Sequence, residues 1–90
     1  MVDVIVFEIG SLQCAVQLSA VREVVTLGPI TPVPCPTPTL AGAVNLRGQV
    51  VPVLRLDPLI RAAHAMPPPR QGRTGLLVRA AGYLAILHVG

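Results

Sequence analysis

Apolar and polar positions along this chain fall into short blocks, most of them closed by glycine, proline or serine. Residues 4–9, Val-Ile-Val-Phe-Glu-Ile, are mostly β-branched or aromatic, side chains that suit a pleated, half-buried strand. Residues 12–18 partly alternate apolar with polar, and Gly10-Ser11 stands between the two runs. Two such runs around a tight turn predict a β-hairpin. Ser19 is a good helix N-cap, Val21, Val24 and Val25 recur at helical spacing, and Gly28-Pro29 is a stop signal. A short helix over 20–27 is therefore expected. The competing reading is a strand, because three valines favour β structure.

Prolines at 29, 32, 34, 36 and 38 remove backbone donors so often that residues 29–39 cannot form a central strand. Ile30 to Val33 can make a short edge strand, and the rest is expected to be extended loop. Residues 40–46 and 49–56 predict two more strands joined at Arg47-Gly48, with the glycine supplying positive φ. Pro52 points to an edge or a bulge in the second of them. Asp57-Pro58 opens a helix as N-cap and first-turn pair, which must end before Pro67. Residues 67–73 read as a linker-like loop. Residues 74–80 and 83–89 predict a last hairpin turning at Ala81-Gly82. A shift of 71 positions lays the first hairpin over this one, setting Val6 on Leu77, Cys14 on Ala85 and Leu18 on Val89. That match of apolar character suggests a duplicated structural unit.

Composition narrows the function more than the fold. The chain has 90 residues, 52% hydrophobic and 12% charged, the opposite of a disordered composition. Phe7 and Tyr83 are its aromatics, so any core is aliphatic. The net charge is +3 and every basic residue is arginine, at 22, 47, 55, 61, 70, 73 and 79. These do not cluster or interleave with aromatics, which argues against nucleic acid. No apolar run approaches the ~20 residues of a membrane span, and no signal peptide is visible. Cys14, expected to be buried and inert in a strand, and Cys35, between prolines, fit a reduced cytoplasmic protein.

Chemistry is thin. No pair among Cys14, Cys35, His64 and His88 has metal-ligand spacing. His64 is explained by a helix C-terminus, and His88 is expected on the solvent side of its strand. Ser11 and Ser19 have turn and cap roles. Asp3, Glu8, Glu23 and Asp57 are dispersed, each with a local structural explanation. No catalytic site and no cofactor is expected. Glu23, Asn45 and Arg47 are the residues that stability explains least. Asn45 can start the turn through its side chain. Arg47 is either simply exposed or presented on a rigid hairpin for binding.

The opening Val6-Phe7-Glu8-Ile9-Gly10, the Ala20-Val21-Arg22-Glu23-Val24 segment, Ile30-Thr31-Pro32-Val33-Pro34, and above all Asn45-Leu46-Arg47-Gly48 followed by Val51-Pro52-Val53-Leu54 resemble the CheW-like family of chemotaxis coupling adaptors. The resemblance covers residues 4–60 well and 74–90 loosely. It implies a mainly β fold: a small SH3-like five-stranded β-barrel with one or two short helices, plus the first hairpin of an incomplete second barrel. On that reading residues 1–66 are the first subdomain, 67–73 a Pro-rich linker, and 74–90 the hairpin that starts the second.

Such members are non-catalytic scaffolds that couple chemoreceptor tips to the regulatory domain of a CheA-type histidine kinase. By position, Arg47, Glu23 and Val21 become the implied partner-binding residues, with Asn45 beside them supporting the turn. Three departures stand out. Arg55-Leu56-Asp57 exchanges the charges of the family's Asp-Leu-Arg, Val89-Gly90 replaces Val-Asp, and the sequence stops within the second barrel. A local ion pair between residues 55 and 57 would survive the exchange. The alternative expectation is a self-associating β module unconnected with chemotaxis, a homo-oligomer formed by exchanging residues 74–90.

Overall fold

Seven strands and two short helical turns make up the computed structural model, which describes residues 2–9, 12–34, 37–60 and 68–89. The first hairpin forms as its alternation predicts. Strand β1 (Val4–Ile9) pairs antiparallel with β2 (Leu12–Gln17), setting Phe7 opposite Cys14 and Val6 opposite Ala15. Its Gly10-Ser11 turn lies outside the described residues. Cys14 is half-buried rather than fully enclosed, because a two-stranded ribbon covers only part of each side chain.

The helix expected over 20–27 is replaced by strand β3 (Val21–Thr26), preceded by one 3-10 turn at Leu18–Ala20. Ser19 lies inside that turn instead of capping a helix. The β-branched preference of Val21, Val24 and Val25 prevails because β6 (Thr74–Ala80) offers a complete antiparallel ladder, which an eight-residue helix could not replace. A bulge at Arg22 breaks the register between Val21↔Val78 and Glu23↔Leu77. Beyond the bulge, Val25 turns into the core.

Strands β4 (Leu40–Leu46) and β5 (Gln49–Leu54) form the central hairpin. At its tip Arg47 and Gly48 have φ of 51° and 85°. Positive φ at both central residues is what a type I′ turn demands, and its twist matches that of the flanking strands. The edge strand expected at Ile30–Val33 shrinks to a single bridge, Thr31 to Ala43, with N–H to carbonyl distances of 2.8 and 2.9 Å. Gly42 makes this approach possible, since a Cβ there would stand 2.7 Å from both Ile30 Cγ2 and the Thr31 carbonyl oxygen. Helix α1 begins at Asp57 as expected and is described through Ile60, while His64 and residues 61–67 lie outside the described set.

The last hairpin, β6 and β7 (Tyr83–His88), departs most from expectation. It starts no second barrel. The five-stranded sheet runs β3-β6-β7-β5-β4, so this hairpin supplies its two inner strands on the β3 side. β7 joins β5 by a short parallel ladder, Val53↔Ile86 and Leu54↔Leu87. The hairpin that stands apart, as its own two-stranded sheet, is β1–β2. Leu76, Leu77 and Ile86 are apolar enough to be buried in a sheet interior, so their place is chosen by pairing with β3 and β5 rather than by proximity in sequence. Residues 70–73 are pinned rather than linker-like: Gly72 N–H donates to the Leu27 carbonyl and Leu27 N–H to that of Arg73, both at 2.8 Å. One face of the sheet encloses the aliphatic core of Val25, Leu27, Val44, Val51, Val53, Leu77 and Ile86.

Candidate functional site

Glu23 and Arg47 stand 24 positions apart in sequence and on elements at opposite ends of the strand order. Glu23 lies on β3 opposite Leu77, on the same inward side as Val25. Arg47 crowns the β4–β5 hairpin. The sheet curls until the two meet, and the guanidinium donates from both terminal nitrogens to both carboxylate oxygens, Nη2 to Oε1 and, at 3.5 Å, Nη1 to Oε2. This bidentate pair lines a pocket together with Arg22, Leu46, Gln49, Leu77 and Leu84.

The pair is open to solvent, with 69% of the Arg47 side chain and 37% of Glu23 exposed. An exposed ion pair adds little to stability. Its charges nevertheless hold each other: the hydrogen bond from Arg47 keeps the Glu23 carboxyl below the usual glutamate value, and Glu23 raises the Arg47 guanidinium. Both stay charged across the physiological range.

Asn45 is placed as its turn role predicts. Its Oδ1 accepts from the Gly48 N–H at 2.8 Å, fixing the tip from which Arg47 projects. Val21 does not join the ion pair. It pairs with Val78, neighbour of the Leu77 that faces Glu23, so the bulge at Arg22 leaves Val21 on the other face of β3. The structure thus unites Glu23 and Arg47, supports them with Asn45, and sets Val21 aside. It adds Arg22 and Gln49 to the lining. Regular strand alternation would set Arg22 on the face opposite Glu23, and the bulge brings both to one pocket.

A second charged cluster lies at the opposite end of the sheet. Arg55 Nη2 donates to Asp57 Oδ2 at 3.0 Å, with Asp57 buried at the start of α1. The ion pair expected from the exchanged charges is therefore present. His88, expected on the solvent side, is only 3% exposed. Its partner across β6 is Gly75, so it faces inward with Ile86. Burial first, then the charges of Arg55 and Arg73 outweighing Asp57, push its pKa down and keep it neutral. Among the described residues no three His, Cys, Asp or Glu side chains come together as a metal site, and no helix is long and apolar enough to cross a membrane.

Comparison with known proteins meets this geometry at three levels. The chemotaxis protein CheW of Rhizobium meliloti (strain 1021) is 36% identical over 52 residues, 58% of this chain and 34% of that protein. The crystal structure of the scaffolding protein TtCheW from Thermoanaerobacter tengcongensis superposes with a TM-score of 0.83 at 25% identity. The match covers 98% of this chain and 59% of TtCheW, so the chain spans about three-fifths of the length of that solved relative. The family model described as the CheW-like domain matches residues 3–90. With that match running nearly end to end over a mainly β fold of two sheets, the chain belongs to the CheW-like domain family.

Proposed function

We propose that this chain is a non-catalytic adaptor of chemotaxis-type signalling, coupling a CheA-type histidine kinase regulatory domain, a chemoreceptor tip, or both, through the surface around Arg47 and Glu23. The observation that carries this reading is the exposed, bidentate Arg47–Glu23 pair on a type I′ tip braced by Asn45. A rigid hairpin offers a guanidinium with little conformational entropy left to lose on binding. The neighbouring pocket, walled by Leu46, Leu77 and Leu84, offers apolar area beside it. Arginine beside desolvatable apolar surface is a frequent composition of binding hot spots. TtCheW is a scaffolding protein, which supports a role in assembly rather than turnover. Val21, on the other face of β3, would meet a partner only if that partner also wraps the bulge.

The test is titration calorimetry of the full chain against a CheA-type regulatory domain and, separately, a chemoreceptor tip fragment. Arg47→Ala and Glu23→Ala should each weaken one of these bindings about 10-fold or more while leaving the far-UV spectrum unchanged. Unaltered affinity in both variants would remove these residues from the interface. Absence of binding to either partner would overturn the adaptor reading itself.

A further inference from the structure

Pro52 leaves a fork inside the five-stranded sheet. Ala43 exchanges both of its backbone hydrogen bonds with Thr31, so Pro52, which lies opposite Ala43, turns its own backbone groups away from β4 and toward β7. Leu84 turns its backbone groups toward β5, since the two-residue turn at Ala81-Gly82 makes Ala80↔Tyr83 the hydrogen-bonded pair and Arg79↔Leu84 the open one. The parallel ladder between β5 and β7 holds Val53↔Ile86 and Leu54↔Leu87. Its next rung needs an N–H at position 52 to meet the Leu84 carbonyl, and proline has none. Pro52 thus marks a broken rung on an interior strand rather than an edge or a bulge. Toward the hairpin tips the strands part, around a cleft of about 520 Å³ lined by Gln49, Val50, Pro52, Tyr83, Leu84 and Ala85. β4 and β6 hold the two strands on their far sides, so the cleft is framed within this sheet.

The lining joins two kinds of chemistry. Val50 and Tyr83 are large side chains left 73% and 79% exposed. Arg79 also lines the cleft and has no ion-pair or hydrogen-bond partner among the described residues. Gln49 and Leu84 are shared with the pocket that holds Arg22 and Arg47. Glu23 is the carboxylate among these lining residues, and Arg47 already engages it, which leaves Arg22 and Arg79 uncompensated.

We infer that the fork between β5 and β7 is a docking cleft for an extended, acidic segment of another protein, with an apolar side chain lodged between Val50 and Tyr83 and a carboxylate held by Arg79. The Leu84 carbonyl accepts from an incoming backbone N–H in place of the one Pro52 lacks, the way an added strand joins a sheet. The uncompensated arginines select acidic over basic segments. Such docking depends on the fork and not on the kinase or receptor contacts of Arg47.

The experiment is fluorescence anisotropy of the full chain with a fluorescein-labelled, amidated peptide, Glu-Glu-Val-Ile-Val-Glu-Glu, beside its basic counterpart, Lys-Lys-Val-Ile-Val-Lys-Lys. The acidic probe should bind saturably, about 10-fold or more tighter than the basic one, and more weakly as salt rises. Arg79→Glu should weaken it about 10-fold or more. Arg70→Glu makes the same charge change before the other end of β6 and should leave the affinity unaltered. Pro52→Val supplies the missing N–H, lengthens the ladder across the fork and should weaken the acidic probe by about 10-fold as well. No saturable binding at millimolar protein, equal binding of the two probes, undiminished binding in Arg79→Glu or Pro52→Val, or equal weakening by Arg70→Glu would each overturn the inference. Should Pro52→Val fail to fold, amide chemical shifts of the unaltered chain decide. The acidic probe should move those of Val50, Leu84 and Ala85, and shifts confined to other residues would overturn the inference.

Discussion

Val50 and Val51 are adjacent, identical in type and on the same strand, yet 73% and 1% exposed. Truncating each to alanine therefore isolates burial from every other property of valine. The change removes two methyl groups, and at about 0.8 kcal/mol per carbon the lost transfer energy at Val51 is about 1.6 kcal/mol. The void left against Val44, its partner on β4, adds to this, for a total of about 2–3 kcal/mol. Val50→Ala loses only β propensity and scattered contacts, within about 1 kcal/mol. A chain of 90 residues has about 5–13 kcal/mol of stability in all, so the Val51 variant should lose a sizeable fraction of it. Urea unfolding followed by far-UV circular dichroism reads both, the chain having no tryptophan and its one tyrosine, Tyr83, being 79% exposed. Midpoints that fall equally in the two variants would refute the inward assignment of Val51. A larger loss at Val50 would mean a one-residue slip of β5, which inverts every side chain on the strand.

Other consequences follow from the charged groups and from one glycine. His88 is held neutral by burial, so its folded pKa lies below the unfolded value of about 6.5. Between those two values the unfolded chain binds the extra proton. Stability is therefore full above about pH 6.5 and falls as pH drops through the folded value, and His88→Leu should flatten that part of a pH series of thermal melts. The Glu23 carboxyl should titrate below an ordinary glutamate in carbon-detected NMR and return to the usual range in Arg47→Ala, since the hydrogen bond from Arg47 is the leading cause of its shift. An unchanged titration in that variant would show that the pair does not form in solution. Gly42→Ala should cost about 1 kcal/mol or more in urea unfolding, because a Cβ there collides with the Thr31 carbonyl. A neutral effect would mean that the Thr31–Ala43 bridge is dispensable.

Local chemistry was enough to specify the hairpin turns at Arg47-Gly48 and Ala81-Gly82, the opening of α1 at Asp57, the aliphatic character of the core and the role of Asn45. Each depends on residues within a few positions of one another, and the Asn-Leu-Arg-Gly turn carried the family resemblance with it. The segment 20–27 was not legible in this way, since Val21, Val24 and Val25 satisfy a helical stripe and a strand almost equally. Only the waiting edge of β6 resolves that choice. The inward turn of His88 likewise depends on Gly75 across the ladder, and its lowered pKa on burial and on charges brought from Arg55, Asp57 and Arg73. The repeat at a shift of 71 positions and the family resemblance assigned the last hairpin to a second barrel. Hydrogen bonding to β3 and β5 instead draws β6 and β7 to the inner positions and leaves β1–β2 aside. The meeting of Glu23 with Arg47 needs the curl of the whole sheet, so no window of sequence contains it. What can be read from a chain is set by interactions a few residues long, while contacts spanning 24 positions or more wait on which strand finds which edge.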